Sequence, residues 1–128
     1  MIAKLPGITA PLNVIVPTDF SLCSRRALDC AFQWARRFPC DIHLLHVTDK
    51  SGAGGRAVTG EPAARLDALR REVEAELRRQ VSSYTEMLRL RPTEHHVVAG
   101  DPADEILALV RRLGAGMVFM GTHGHRGL

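Results

Sequence analysis

The last stretch of the chain, Met117-Val-Phe-Met-Gly121-Thr-His-Gly124-His-Arg-Gly127-Leu128, decides the expected fold. Four apolar residues predict a buried strand, and they run directly into a loop that contains three glycines. Glycine permits positive φ and leaves main-chain N–H groups open to a ligand that a Cβ would shield. A loop of this kind after a parallel strand is typical of phosphate binding through amide dipoles. An ordinary strand-to-helix turn has the same composition, so the rest of the chain has to decide between the two interpretations.

Three further apolar segments predict the other strands of a sheet. They cover residues 13–16, 41–47 and 95–99, and the first of them, Asn13-Val-Ile-Val16, is apolar at successive positions rather than at alternate ones. This pattern is typical of strands that are buried on both faces, as in a parallel sheet.

The segments between these strands predict three amphipathic helices. The first is capped by Ser21 or Ser24 and stopped by Pro39. The second runs from Pro62 to about Leu90, because apolar residues recur there in steps of three and four.

The third helix has the clearest boundaries. Asp101 is its predicted N-cap, Pro102 its first residue and Gly114 its left-handed C-cap. The apolar stripe expected to face the sheet consists of Ile106, Leu107, Val110 and Leu113.

This alternation predicts one α/β domain over residues 1–128, with a parallel sheet and helices on both faces, of Rossmann-like type. Ligands of such sheets bind beyond the carboxyl ends of the strands, at the point where the strand order reverses. The residues expected there are Asp19, Val47, Gly100 and Gly121 to Gly127.

Composition excludes several classes of protein. The chain is 45% hydrophobic and 24% charged, and no apolar run approaches the roughly 20 residues that span a bilayer. The amino terminus lacks the apolar core of a signal peptide, so we expect a cytosolic protein without membrane contact. The net charge of +3 comes from arginines that alternate with acidic residues, which favours a solvated surface over nucleic-acid binding. The three cysteines form no close pair and are expected to be free, buried thiols.

Neither metal ligation nor covalent catalysis is predicted. Neighbouring histidines within the strands, His43 with His46 and His95 with His96, point to opposite faces. His123 and His125 share one loop without a third ligand at metal-site spacing, so no metal site is expected from the histidines. Cys23 follows the first strand near a helix start, but its position on the helix predicts a packed thiol rather than a nucleophile.

Four segments together resemble the universal stress protein family. They are Asn13-Val-Ile-Val-Pro-Thr-Asp19-Phe-Ser21, Leu44-Leu-His-Val47, Val98-Ala-Gly100-Asp-Pro102 and Met120-Gly-Thr-His-Gly124. The likeness covers essentially the whole chain in the same order, and it implies a fold like that of the adenine nucleotide alpha hydrolases. In the ATP-binding branch, Gly121 and Gly124 match the first half of the glycine signature.

The resemblance implies a set of binding residues. Asp19 would contact the ribose or a metal ion near the phosphates, and the main chain of Val47 would pair with the adenine edge. Pro17 and Thr18 would form the wall beside Asp19, and Gly100 would lie at the end of the third strand. The ribose and phosphates would be surrounded by Met120, Gly121, His123 and Gly124.

The implied ligand is ATP with Mg²⁺, and the implied role is that of a sensor or switch with slow hydrolysis or none. The second half of the glycine signature, the last helix and the last strand would fall beyond Leu128. That strand often joins protomers in the family, and a homodimer is expected by resemblance alone. The alternative is a dimeric interaction module that binds no nucleotide. An enzyme that adenylates or transfers phosphate has only fold analogy behind it.

Overall fold

The computed structural model describes residues 11–48, 62–84 and 93–122, which form a parallel sheet with helices between its strands. The elements in chain order are β1 (Leu12–Pro17), α1 (Leu22–Ala35), β2 (Cys40–Thr48), α2 (Pro62–Val81) with a short 3-10 turn (Ser82–Tyr84), β3 (Glu94–Ala99), α3 (Pro102–Leu113) and β4 (Met117–Val118). The predicted α/β fold is confirmed.

The four described strands have the order β3-β2-β1-β4, and all of their pairings are parallel. β1 lies inside the sheet, and Val14, Ile15 and Val16 are each 0% exposed. A strand covered on both faces and both edges needs apolar residues at successive positions, which is the pattern that predicted it.

The sheet buries a separate apolar cluster on each face. On one face, Val14, Val16 and Leu44 pack with residues of α1 and α2 that include Phe32 and Leu77. On the other face, Ile15 and Leu45 pack against α3 through Ile106 and Leu109. The predicted placement of helices on both faces is therefore confirmed.

The capping predictions are largely confirmed. Ser21 is the N-cap of α1 and accepts a hydrogen bond from the Ser24 N–H, so Ser24 is the capped residue rather than the cap. Asp101 caps α3, Pro102 begins it, and Gly114 ends it with φ of 59°. α1 ends at Ala35, four residues before Pro39. For the second helix, the predicted residues 85–90 lie outside the described residues.

Two predictions about apolar residues are wrong. β4 has two residues instead of four, and Val118 and Met120 are 37% and 45% exposed, because β4 is at the edge of the described sheet and pairs only with β1. In α3, Leu107 is 51% exposed and Leu109 is buried in its place. Apolar residues occupy most positions of α3, so the pattern alone did not define which arc faces the sheet.

The cysteines are free, as expected, but only Cys40 is buried; Cys23 is half-buried and Cys30 is exposed. None of the described helices is both long enough and apolar enough to cross a bilayer.

The two leucines of α3 offer a matched test of this packing. We expect Leu109→Ala to lower the free energy of unfolding by about 2–5 kcal/mol, because Leu109 is 3% exposed and its removal leaves a cavity. Leu107→Ala, two residues earlier and on the solvent side of α3, should change the free energy of unfolding by no more than about 0.5 kcal/mol. Urea denaturation of both variants measures the difference, and equal losses would contradict the orientation of α3.

Candidate functional site

The strand order places the reversal point between β1 and β4. From β1 the chain proceeds to β2 and β3 on one side, and it then crosses to β4 on the other side. α1 and α2 cover one face of the sheet and α3 covers the other, so a crevice is expected where the two sets separate. Asp19 follows β1 and Gly121 follows β4, so these two predicted residues flank this point.

A network of hydrogen bonds fixes the turn after β1. The Thr18 N–H extends the sheet by donating to the Leu45 carbonyl at 2.8 Å. The Thr18 hydroxyl lies 3.0 Å from the Ser24 hydroxyl and accepts from the Phe20 N–H at 3.1 Å. Asp19 Oδ1 accepts from the Ser21 N–H at 2.9 Å. The carboxylate of Asp19 is thereby held at the start of α1.

Phe20 and His46 add a contact that the sequence did not predict. Phe20 has φ of 65°, a conformation that L residues adopt only where their surroundings impose it. Its ring stacks on the His46 imidazole with a centroid distance of 4.7 Å. His46 Nδ1 is 2.8 Å from the Thr18 carbonyl, and because a carbonyl only accepts, Nδ1 carries the proton. His46 thus fixes the turn that carries Asp19.

Gly121 lies against the first turn of α1. A Cβ at this position would come within 2.8 Å of the Cys23 carbonyl carbon and Cβ. Real Cβ atoms do not approach backbone so closely, so the end of β4 reaches α1 only because residue 121 is glycine. Gly121 and Asp19 therefore meet the same helix start from two neighbouring strands.

The other two strand ends continue this row. On the β1 side of β2, the Leu45 carbonyl accepts from the Thr18 N–H. On the β3 side, the Thr48 carbonyl accepts from the Gly100 N–H at 3.0 Å. Since successive residues of a strand bond to alternate neighbours, the main chain of Val47 is directed to the β1 side, past the last residue of β1. Gly100 follows β3, about 10 Å from the line of β1 at two strand spacings.

The remaining predicted residues differ in their access to a ligand. The side chains of Pro17 and Thr18, which precede Asp19 in the chain, are buried and not accessible to a ligand. Met120, next to Gly121, is 45% exposed. His123 and Gly124 lie outside the described residues. The structure thus brings Asp19, Gly121 and the Val47 main chain together at the carboxyl ends of neighbouring strands.

A second cluster of polar side chains lies on the α3 face of β2 and β3. His43 Nδ1 is 3.0 Å from His96 Nε2, and Glu94 Oε2 lies 3.5 Å from the first atom and 3.8 Å from the second. Burial lowers the pKa of His96, and nearby His43 and Arg112 lower it further against the opposing effect of Glu94. Spacing within one strand does not reveal this pair, because its two histidines lie on neighbouring strands. The parallel register, which pairs His43 with Glu94, is the signal that would have found it.

Comparison with protein families gives one match that spans the described fold. The model of the universal stress protein family matches residues 12–128. Among curated proteins, the universal stress protein YxiE of Bacillus subtilis is 27% identical over 121 residues, which cover 91% of this chain and 82% of YxiE.

Two solved structures show the same fold. The universal stress protein UspA from Lactobacillus plantarum superposes with a TM-score of 0.68 at 19% identity, covering 91% of this chain and 81% of that one. A universal stress protein in complex with cAMP superposes with a TM-score of 0.53 at 21% identity, covering 86% and 71%. At these identities the likeness concerns the fold alone.

The contact at Gly121 gives a second matched test. Gly121→Ala should lower the free energy of unfolding by about 1–3 kcal/mol, because the added methyl meets the backbone and Cβ of Cys23 rather than the end of a flexible side chain. Gly116→Ala is the control: its methyl would meet only the end of the Leu12 side chain, and the effect should stay below about 1 kcal/mol. Thermal and urea unfolding measure both, and a Gly121→Ala protein as stable as wild type would refute the close approach.

Proposed function

Since this chain belongs to the universal stress protein family, we propose that it binds ATP with Mg²⁺ at the carboxyl ends of its strands. In this proposal it acts in the cytosol as a sensor or switch of the stress response. The nucleotide changes the state of the protein, and turnover is slow or absent.

The observation that carries the proposal is the meeting of Asp19 and Gly121 at the start of α1. A helix start presents unpaired N–H groups and a partial positive charge, which favour an anion. A carboxylate oxygen beside it is the type of ligand that Mg²⁺ prefers when it also binds phosphate. Asp19 and the helix start beside Gly121 therefore supply complementary chemistry for a metal ion and the phosphate it accompanies.

The base and sugar would extend from this point along the row of strand ends. The main chain of Val47 is directed to the β1 side and suits the hydrogen-bonding edge of adenine. Gly100 lies one strand further, and Met120 offers an exposed apolar side chain beside Gly121. Complex formation with cAMP by one structural neighbour supports an adenine nucleotide as the ligand class.

Our proposal of slow or absent hydrolysis is supported by the hydrogen bonds that the polar groups at the described strand ends already make. Asp19 accepts from the Ser21 N–H, the Thr18 hydroxyl contacts Ser24, and His46 donates to a carbonyl. An efficient ATPase needs a group that orients the attacking water and a cation that stabilises the developing charge. We therefore propose a binding protein rather than an enzyme.

A second candidate function, a dimeric interaction module, has one observation in its favour. β4 is at the edge of the described sheet, and Val118 and Met120 there are 37% and 45% exposed. An edge strand with exposed apolar residues pairs readily with another strand. In this candidate function a dimer forms at β4, and the strand ends beside it bind no nucleotide.

Titration of Mg²⁺-ATP by calorimetry tests the first candidate. Wild-type protein should bind with a micromolar dissociation constant, and Asp19→Asn should weaken binding at least about tenfold, since it removes the charge but keeps an acceptor for the Ser21 N–H. Asp104→Asn, which removes an exposed carboxylate from α3, should bind as wild type does. cAMP titrated in parallel distinguishes recognition of adenosine from recognition of the triphosphate. Absence of binding in the wild-type protein, or equal binding by Asp19→Asn, would overturn the proposal.

Sedimentation equilibrium tests the second candidate. A dimer formed through β4 should dissociate on Val118→Lys, because the lysine places a charge in the apolar contact. Leu107→Lys, at an exposed apolar residue of α3, should leave the dimer intact. A wild-type protein that remains monomeric at tens of micromolar would rule out the dimer.

A further inference from the structure

We propose that His43, His96 and Glu94 form a binding site for one Zn²⁺ ion on the α3 face of β2 and β3. This site is independent of the nucleotide proposal. His43 lies four residues before Val47, about 13 Å along β2.

The three candidate ligand atoms already have the spacing of a zinc site. His43 Nδ1, His96 Nε2 and Glu94 Oε2 are separated by 3.0, 3.5 and 3.8 Å. Zinc bonds of about 2.0–2.1 Å in tetrahedral geometry place ligand atoms about 3.3–3.4 Å apart. The observed distances bracket this value, so an ion requires shifts of less than about half an ångström. Within the described ranges, this is the group of histidine, cysteine and carboxylate side chains that meets metal-site spacing.

The position in the sheet explains why these side chains converge. His43 pairs with Glu94 in the parallel register, and His96 is two residues further along β3. Residues two apart share a face of a strand, so all three side chains project toward the α3 side. The backbone of two hydrogen-bonded strands therefore positions the ligands, and a site on such a framework is better ordered than one on loops.

Asn13 determines which nitrogen of His43 is available to a metal ion. The Asn13 side-chain amide donates to the Leu113 carbonyl at 2.8 Å, which leaves Asn13 Oδ1 to accept from His43 Nε2 at 3.1 Å. His43 thus carries its proton on Nε2, and the lone pair on Nδ1 points toward His96 and Glu94. Metal-binding histidines usually donate their second N–H to an oxygen in this way.

Without a metal ion, His96 Nε2–H donates to His43 Nδ1. Zinc binding needs the Nε2 lone pair of His96, so the proton moves to Nδ1 of the same neutral ring and no net proton is released. Two imidazoles and one carboxylate are a donor set of catalytic zinc sites, which retain a fourth position for water.

The exposure of the three side chains also suits a divalent cation. The side chain of Glu94 is 68% exposed, whereas those of His43 and His96 are 5% and 17% exposed, so an ion enters from the solvent at Glu94 and ends against the buried rings. Mg²⁺ requires mostly oxygen ligands and should bind poorly.

The test is titration of Zn²⁺ into protein that has been stripped with a chelator. We expect one ion per chain and a rise in the melting temperature, because the ion joins β2 to β3. His96→Gln should weaken binding at least about 100-fold and abolish the rise, since even outer partners of zinc ligands contribute 10–100-fold. Glu94→Gln, at an exposed strand start, provides a second variant that should keep the fold and lose affinity.

His95→Gln is the matched control. His95 is adjacent in sequence but projects to the opposite face, where Arg78 and Glu74 of α2 act on it. It should bind Zn²⁺ as wild type does.

Co²⁺ substitution identifies the ligands. Nitrogen and oxygen ligands give visible bands without the intense sulfur-to-cobalt band in the near ultraviolet. Absence of zinc binding, wild-type affinity in His96→Gln, or a strong sulfur band would each overturn the site.

Discussion

The burial of β1 on all sides is the constraint on which the rest of this structure depends. Val14 and Val16 pack into the cluster formed with α1 and α2, while Ile15 between them packs into the cluster with α3. β2 and β4 pair with its two edges. Both helix layers and both neighbouring strands contact these few residues, so the position of β1 is fixed. The end of β1 in turn determines where Asp19 lies.

Sequence reasoning succeeded where the deciding interaction is local. Ser21 and Asp101 accept hydrogen bonds from N–H groups three residues later in the chain. Gly114 is left-handed, and its N–H donates to the Val110 carbonyl one helical turn earlier. Side-chain chemistry at such positions is almost sufficient to define a helix end. The order of strands and helices followed from these signals together with the apolar segments.

Prediction from the sequence failed where the burial or contact of a side chain depends on partners that are distant in the chain. The residues after Gly116 are as apolar as those of β1. In the described part of the sheet, however, β1 has two neighbouring strands and β4 has one, so Val118 and Met120 are partly exposed. The approach of His43 to His96 likewise depends on the register between β2 and β3, which is set by the whole sheet. Composition within one strand contains no information about such a contact.

The residues at the strand ends have structural roles as well as proposed binding roles. The close contact of Gly121 with Cys23 requires a glycine, and Asp19 accepts a hydrogen bond from the Ser21 N–H. The proposed zinc site depends on the same strand pairing as the strand ends, because the β2–β3 register that aligns His43 with Glu94 also aligns Val47 with Val98. A metal ion that joins the two strands near their amino ends would hold that register along their whole length. The ion would thus act on the same β2–β3 pairing that places the Val47 main chain at the strand ends.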